Sequence, residues 1–249
     1  MKYLLFISLL VLVSCKQDKS SNVDYIEVAE DLISENEFSK AKSYADSALK
    51  YGQDSSRAFT LKGVAMVKSN KQFEIISKEE KDYSEAIEVL SKAIEFGDEN
   101  IYAYQFRGRA KERMRDYKGA EKDFKAIISI DNTQAEAYFG LALIYWDLKE
   151  YKNVTDVLNK AIKNDGNVGE YYFMRGLVEY RLENFDKSID DLNEAIALGK
   201  EEENYSNYLL YRGKLFLEID NLNAACIDFI SAGENGNNEA YNFIEEHCQ

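Results

Sequence analysis

Three sets of residues in this 249-residue sequence have the type and spacing to do chemistry. They are the cysteines Cys15, Cys226 and Cys248; the arginine–aspartate pairs Arg107/Asp123, Arg175/Asp191 and Arg212/Asp228, each 16 residues apart; and an excess of carboxylates. Cysteines offer acylation or a disulfide, and the charged pairs offer ion pairing. Catalysis asks for groups that converge, and the sequence holds no Gly-rich phosphate loop, no Ser/His/Asp set and no cluster of metal-ligand spacing. His247 is the only histidine. The sequence therefore points away from an enzyme and implies no metal and no cofactor.

Composition narrows the partners. The chain is 45% hydrophobic, enough for a packed core, and carries a formal charge of −14. A whole-protein positive field for nucleic acid is excluded, because neutralising phosphates needs a basic face. The charge is uneven: residues 15–100 sum to −6, residues 101–168 to +2 and residues 169–249 to −11. Arg107, Arg109, Lys111, Arg113 and Arg115 crowd one short stretch within the middle third.

At the N-terminus Lys2 precedes an apolar run from Tyr3 to Val13, followed by Ser14 and Cys15. A run this short does not span a bilayer, which takes about 20 residues, and reads as a cleaved signal peptide over 1–14. Leu12, Val13, Ser14 and Cys15 resemble the lipobox of bacterial lipoproteins. That resemblance implies cleavage before Cys15 and acylation of its thiol, as with palmitate. The expected mature chain is then membrane-anchored through lipid and faces the cell envelope, with the periplasmic side of the outer membrane the first expectation and surface exposure a second. Residues 15–21 form the lipidated tether. In an oxidising compartment Cys226 and Cys248 form an even count; the sequence leaves a disulfide and two structural thiols both open.

Self-similarity organises the remainder. Gly108, Ala142 and Gly176 lie 34 residues apart, as do Tyr117, Tyr151 and Phe185, then Phe124, Leu158 and Leu192, then Ile127, Ala161 and Ala195. This period, with small and aromatic residues at these offsets, resembles the tetratricopeptide repeat (TPR). The resemblance implies an all-α fold: a right-handed superhelical solenoid of antiparallel helix pairs over 22–249. Repeats are placed at 22–55, 56–100, 101–134, 135–168, 169–205 and 206–239, with a capping helix at 240–248. Stacking supplies the core that no single repeat has.

Within these repeats the arginines fall at position 7 and the aspartates at position 23, which implies an ion pair between the two helices of each repeat. Partly exposed pairs contribute only about 0–1 kcal/mol each, so they are expected to set register. The fourth repeat has Leu141 and Val157 there instead, and the second has Lys62 and Val89. The proline usual near the repeat end is absent, and Gly52, Gly97, Gly166 and Gly199 are expected to stop helices in the left-handed conformation. An insertion near 70–80 contains neither Gly nor Pro and is expected to lengthen the helices of the second repeat.

The family resemblance also implies a function. First helices line a concave groove, and its positions are occupied by Tyr102, Arg109, Arg113, Phe139, Leu143, Trp146, Phe173, Leu177, Tyr180, Leu210 and Leu217. An aromatic strip through Phe139, Trp146, Phe173 and Tyr180 is expected to receive an amphipathic helix or extended segment of an envelope protein. The expected role is a scaffold or adaptor. A glycan or small-ligand receptor, and a self-associating structural lipoprotein, are the alternatives.

Overall fold

The structure, a computed structural model, describes residues 23–77, 83–97, 99–200 and 204–248. Cys15, the leader, the tether, residues 78–80 of the insertion and residues 201–203 lie outside the described residues. Among the described residues there are thirteen helices and no strand. Six helix pairs follow one another: α1 (Tyr25–Ser34) with α2 (Phe38–Lys50), α3 (Ser55–Ser77) with α4 (Ser84–Phe96), and α5 (Ile101–Arg113) with α6 (Tyr117–Ile130). Then come α7 (Ala135–Asp147) with α8 (Tyr151–Asn164), α9 (Gly169–Arg181) with α10 (Phe185–Leu198), α11 (Tyr205–Glu218) with α12 (Leu222–Glu234), and a single closing helix, α13 (Ala240–His247).

The helices divide the work of burial. Second helices are amphipathic: α8 buries Val154, Val157, Leu158 and Ala161, one stripe at helical spacing. First helices lie between neighbouring pairs and bury more than one face, as in α7, where every residue from Ala137 to Ala142 is buried. Each second helix also packs on the next first helix, and α1, α3, α5 and α7 touch in sequence. That last row forms the concave side.

Close approach explains the small residue at position 8. A Cβ on Gly213 would stand 2.7 Å from the Phe229 ring, and one on Gly108 would stand 3.2 Å from the Phe124 ring. A second approach to Phe124 comes from the next repeat, where a Cβ on Gly140 would fall 2.5 Å from two ring atoms. The ring is pinned on both sides and fully buried. Overpacking of this kind costs about 1–3 kcal/mol, so Gly140→Ala is expected to lower the urea midpoint clearly and Gly108→Ala to lower it less. Equal midpoints for Gly140→Ala and the parent would show that the ring has room to move.

Helix ends depart from expectation. Of the four glycines expected to be left-handed, only Gly52 is (φ 71°); Gly97 has φ −159° and Gly199 φ −90°, while Gly166 is not among the positive-φ residues. The left-handed residues other than glycine instead occupy the turn inside five of the six repeats, Asn36, Arg115, Lys149, Glu183 and Asp220, at φ 59–61°, the turn of the second repeat lying outside the described residues. In each case the following N–H reaches five residues back, as Asp116 donates to the Lys111 carbonyl at 2.8 Å and Glu150 to the Tyr145 carbonyl at 2.8 Å. This closing bond satisfies carbonyls that the helix leaves open and holds a conformation that L-residues adopt only at a cost.

The insertion is helical as far as the structure describes it. Helix α3 runs 23 residues against 13 in α5, α7 and α9, while α4 keeps 13. The lengthening therefore falls on α3 and not on both helices of the repeat.

Candidate binding groove

The charged pairs are the best-defined polar geometry in the molecule. Arg175 donates from Nε to Asp191 Oδ2 at 2.9 Å and from Nη2 to Oδ1 at 2.6 Å. Arg212 and Asp228 repeat this fork at 2.8 and 2.7 Å. Arg107 and Asp123 do so at 2.9 and 2.7 Å, with Lys111 adding a third donor at 2.8 Å. The expectation of partly exposed pairs needs correcting, because Asp123, Asp191 and Asp228 are only 1%, 6% and 2% exposed. Their carboxylates sit between two helices, where the arginine fork, joined at Asp123 by Lys111, replaces water. The same hydrogen bonds push the Arg175 guanidinium above its usual pKa, against the opposing effect of burial.

A further contact was not foreseen from sequence. The remaining nitrogen of each arginine reaches back to the preceding repeat: Arg107 to Ser91 Oγ at 3.0 Å, Arg175 to Asn159 Oδ1 at 2.6 Å and Arg212 to Asn193 Oδ1 at 2.7 Å. Lys62 makes the equivalent contact with Asp46 at 2.7 Å. The three arginines thus join two repeats as well as the two helices of their own, and Lys62 joins two repeats. The signal was present in the sequence: position 25 holds Asp46, Ser91, Asn159 or Asn193 before a basic position 7, but Lys125 before the apolar Leu141.

At the C-terminal end Cys226 of α12 and Cys248 are joined, with S–S 2.04 Å and Cα–Cα 5.6 Å. Phe243 of α13 stacks on Phe229 at 4.9 Å, and the Tyr241 hydroxyl donates to the Gly233 carbonyl at 3.2 Å. The capping helix is held by ring packing and by the covalent link.

The residues expected to line the groove separate into three groups. Phe139 and Leu210 are 6% and 1% exposed. They belong to the core and not to a ligand surface, Phe139 packing on the Tyr171 ring at 5.1 Å. Burial there pushes the Tyr171 phenol up to about 12. Trp146 and Tyr180 are half-buried and meet the aromatic that begins the second helix of their own repeat, Tyr151 at 5.7 Å and Phe185 at 6.1 Å. Phe173 crosses to the next pair, against Tyr208 at 4.7 Å and Tyr211 at 5.5 Å. The four rings make separate contacts, so the continuous strip does not form; a shared face on each helix does not carry side chains across from one helix to the next. Leu177 and Leu217 are half-buried.

Tyr102, Arg109, Arg113 and Leu143, by contrast, face open space on the concave side. Tyr102 is 68% exposed and borders a cavity of about 450 Å³ between α1, α3 and α5, together with Ile33, Leu61, Val64 and Phe106. Arg109, Arg113 and Leu143 border a second cavity of about 630 Å³ that continues along α3, α5 and α7. Lys68 and Phe106 line both, forming the ridge between them. In the second cavity Arg109 pairs with Glu136 at 3.4 Å, and Gln105 donates to the same carboxylate. The accessible part of the groove therefore lies in the first four repeats, with the second cavity under the basic helix α5. Among the described residues no group of three or more His, Cys, Asp or Glu side chains is placed to hold a metal ion.

Comparison with known proteins agrees with this architecture. The tetratricopeptide repeat family model matches residues 101–134, 135–167 and 169–199. No curated protein matches the chain. Among solved structures, that of Pseudomonas aeruginosa PilF superposes with a TM-score of 0.72 at 14% identity, covering 89% of this chain and 96% of that one. MamA of Desulfovibrio magneticus RS-1 gives 0.58 at 16% identity over 74% of this chain and 99% of that one. YrrB, described as a TPR protein with an unusual peptide-binding site, gives 0.53 at 14% identity over 74% and 92%. At these identities the likeness is one of fold. The chain carries tetratricopeptide repeats, arranged as an all-α helical-repeat solenoid.

Proposed function

We propose that the protein is a lipid-anchored interaction scaffold of the bacterial cell envelope, tethered through Cys15 and holding a segment of a partner protein on its concave face. The observation that carries the reading is the division of labour among the helices. Second helices and buried first-helix residues provide the packing, yet α1, α3, α5 and α7 still open two adjoining cavities to solvent. Surface of this kind that stacking does not consume marks a site of interaction. The structural neighbour described as having a peptide-binding site supports the same class of partner. The lipobox-like residues before Cys15 supply the anchor, and the scaffold role stands in place of catalysis.

Site-specific photo-crosslinking in the native envelope tests the groove. A crosslinker at the exposed, concave Tyr102 is expected to trap a partner, and one at Ile227, 65% exposed on the second helix α12, is not. Adducts from Ile227 alone would move the interface to the convex side, and an adduct of twice the chain mass would make the partner a second copy. Cys15→Ala is expected to abolish lipid labelling and release the chain from the membrane fraction. Unchanged labelling and partition would remove the anchor.

A further inference from the structure

Lys68 stands apart from the other charges of the groove. It is half-buried, it lines both cavities, and among the described residues it makes no hydrogen bond and no ion pair. Its neighbours in the first cavity are satisfied among themselves. Arg57 pairs with Glu30 at 2.6 Å. Asn100 caps α5 by accepting from the Ala103 N–H at 2.9 Å, and its amide donates to Thr60 Oγ1 at 2.7 Å and Ser56 Oγ at 3.1 Å. What remains is a largely apolar wall of Ile33, Leu61, Val64 and Phe106 with one uncompensated ammonium at its end.

The repeat register places Lys68. The other first helices of the middle repeats stop after 13 residues. In the register of the repeat that starts at residue 56, Lys68 holds position 13, as Arg113 does at the end of α5, and α3 continues for nine residues beyond it. Arg57, Leu61, Val64 and Lys68 recur at helical spacing along one face. From Arg57 to Lys68 that face spans about 16 Å at 1.5 Å per residue, the length of about five residues of extended chain.

We infer that the cavity between α1, α3 and α5 is a subsite for an extended partner segment in which an apolar side chain is followed or preceded, within about five residues, by an aspartate or glutamate that pairs with Lys68. The inference rests on the concave face being the partner site and adds the chemistry that the face selects. The apolar side chain lies on Leu61, Val64 and Phe106 and supplies burial, while the carboxylate meets the one cation of the cavity that has no acid of its own. A basic residue at that place in the segment is rejected by like charge.

The test uses the full-length protein in detergent and fluorescently labelled ten-residue peptides in three matched sets. One set carries Leu or Phe anchors flanked by Asp or Glu, a second the same anchors flanked by Lys, and a third the acidic residues with the anchors replaced by Ser. Fluorescence anisotropy is expected to show binding of the first set alone, weakened at least tenfold by Lys68→Glu and retained by Lys68→Arg, with thermal unfolding of both variants close to the parent. Binding without preference for the acidic flank, or indifference to Lys68→Glu, would overturn the subsite. If no peptide binds but the Tyr102 crosslinker still traps a partner, the subsite falls and the groove stands. If neither reports contact, both fall.

Discussion

Arg175→Leu is expected to cost about 3–5 kcal/mol, and adding Asp191→Val is expected to restore most of the loss. Removing the arginine leaves a carboxylate that is 6% exposed without the two donors that replaced its water, and an uncompensated buried charge is destabilising on that scale. The double variant removes the charge from both sides. It copies a solution already in the chain, since Leu141 and Val157 occupy the same two positions one repeat earlier and are both buried. Replacing a buried ion pair by apolar residues of suitable size is often neutral or stabilising. The remaining deficit is the lost bond to Asn159, about 1 kcal/mol. Because stability in a repeat array is local to neighbours, amide exchange across α9 and α10 is the informative measurement, supported by denaturant midpoints. A double variant as unstable as the single one would show that the arginine acts through something other than neutralising Asp191.

The second large effect concerns the Cys226–Cys248 link, 22 residues apart in sequence. Closing a loop of that length in the unfolded chain is worth about 3 kcal/mol on the chain-entropy account. The element it holds is small: α13 has eight residues, too few to persist alone in water, and its packing rests mainly on Ala240, Phe243 and Ile244. Reduction, or Cys248→Ser, is expected to raise amide exchange throughout α13 and the facing side of α12 while α1–α8 stay unchanged. Mass analysis without reductant on protein from the envelope is expected to find the two thiols joined. Free thiols in that material, or exchange in α13 insensitive to reductant, would reduce the link to an incidental contact.

Much of this architecture could be read from the residues because the fold is periodic. Each repeat must bury its apolar face against the next, so small residues such as Gly108 and Gly176, and a large apolar residue such as Phe124 or Leu158, recur at the same offsets. The 16-residue spacing of the arginine–aspartate pairs was legible for the same reason, since both members lie inside one helix hairpin. Periodicity also made the order of helix pairs readable without any knowledge of long-range contacts.

What escaped the sequence depends on side-chain depth and on neighbours outside the repeat. The left-handed turn residues went unrecognised because Arg115, Lys149 and Glu183 are long charged residues, and what holds them there is a helix-closing hydrogen bond that the side chain does not announce. Phe139 and Leu210 share the helix positions of true groove residues, yet contact with the next helix buries them. Spacing determined the 34-residue repeat and the fixed register of the ion pairs, and the resemblance of that repeat to the tetratricopeptide repeat implied the helical solenoid, because both rest on local periodicity. Only the tertiary structure decided how deeply the aspartates are buried, that their arginines tie one repeat to the next, and that the open groove lies along α1, α3, α5 and α7. Each of these depends on how closely neighbouring helices approach, a distance set by the packing of whole repeats and written in no single one of them.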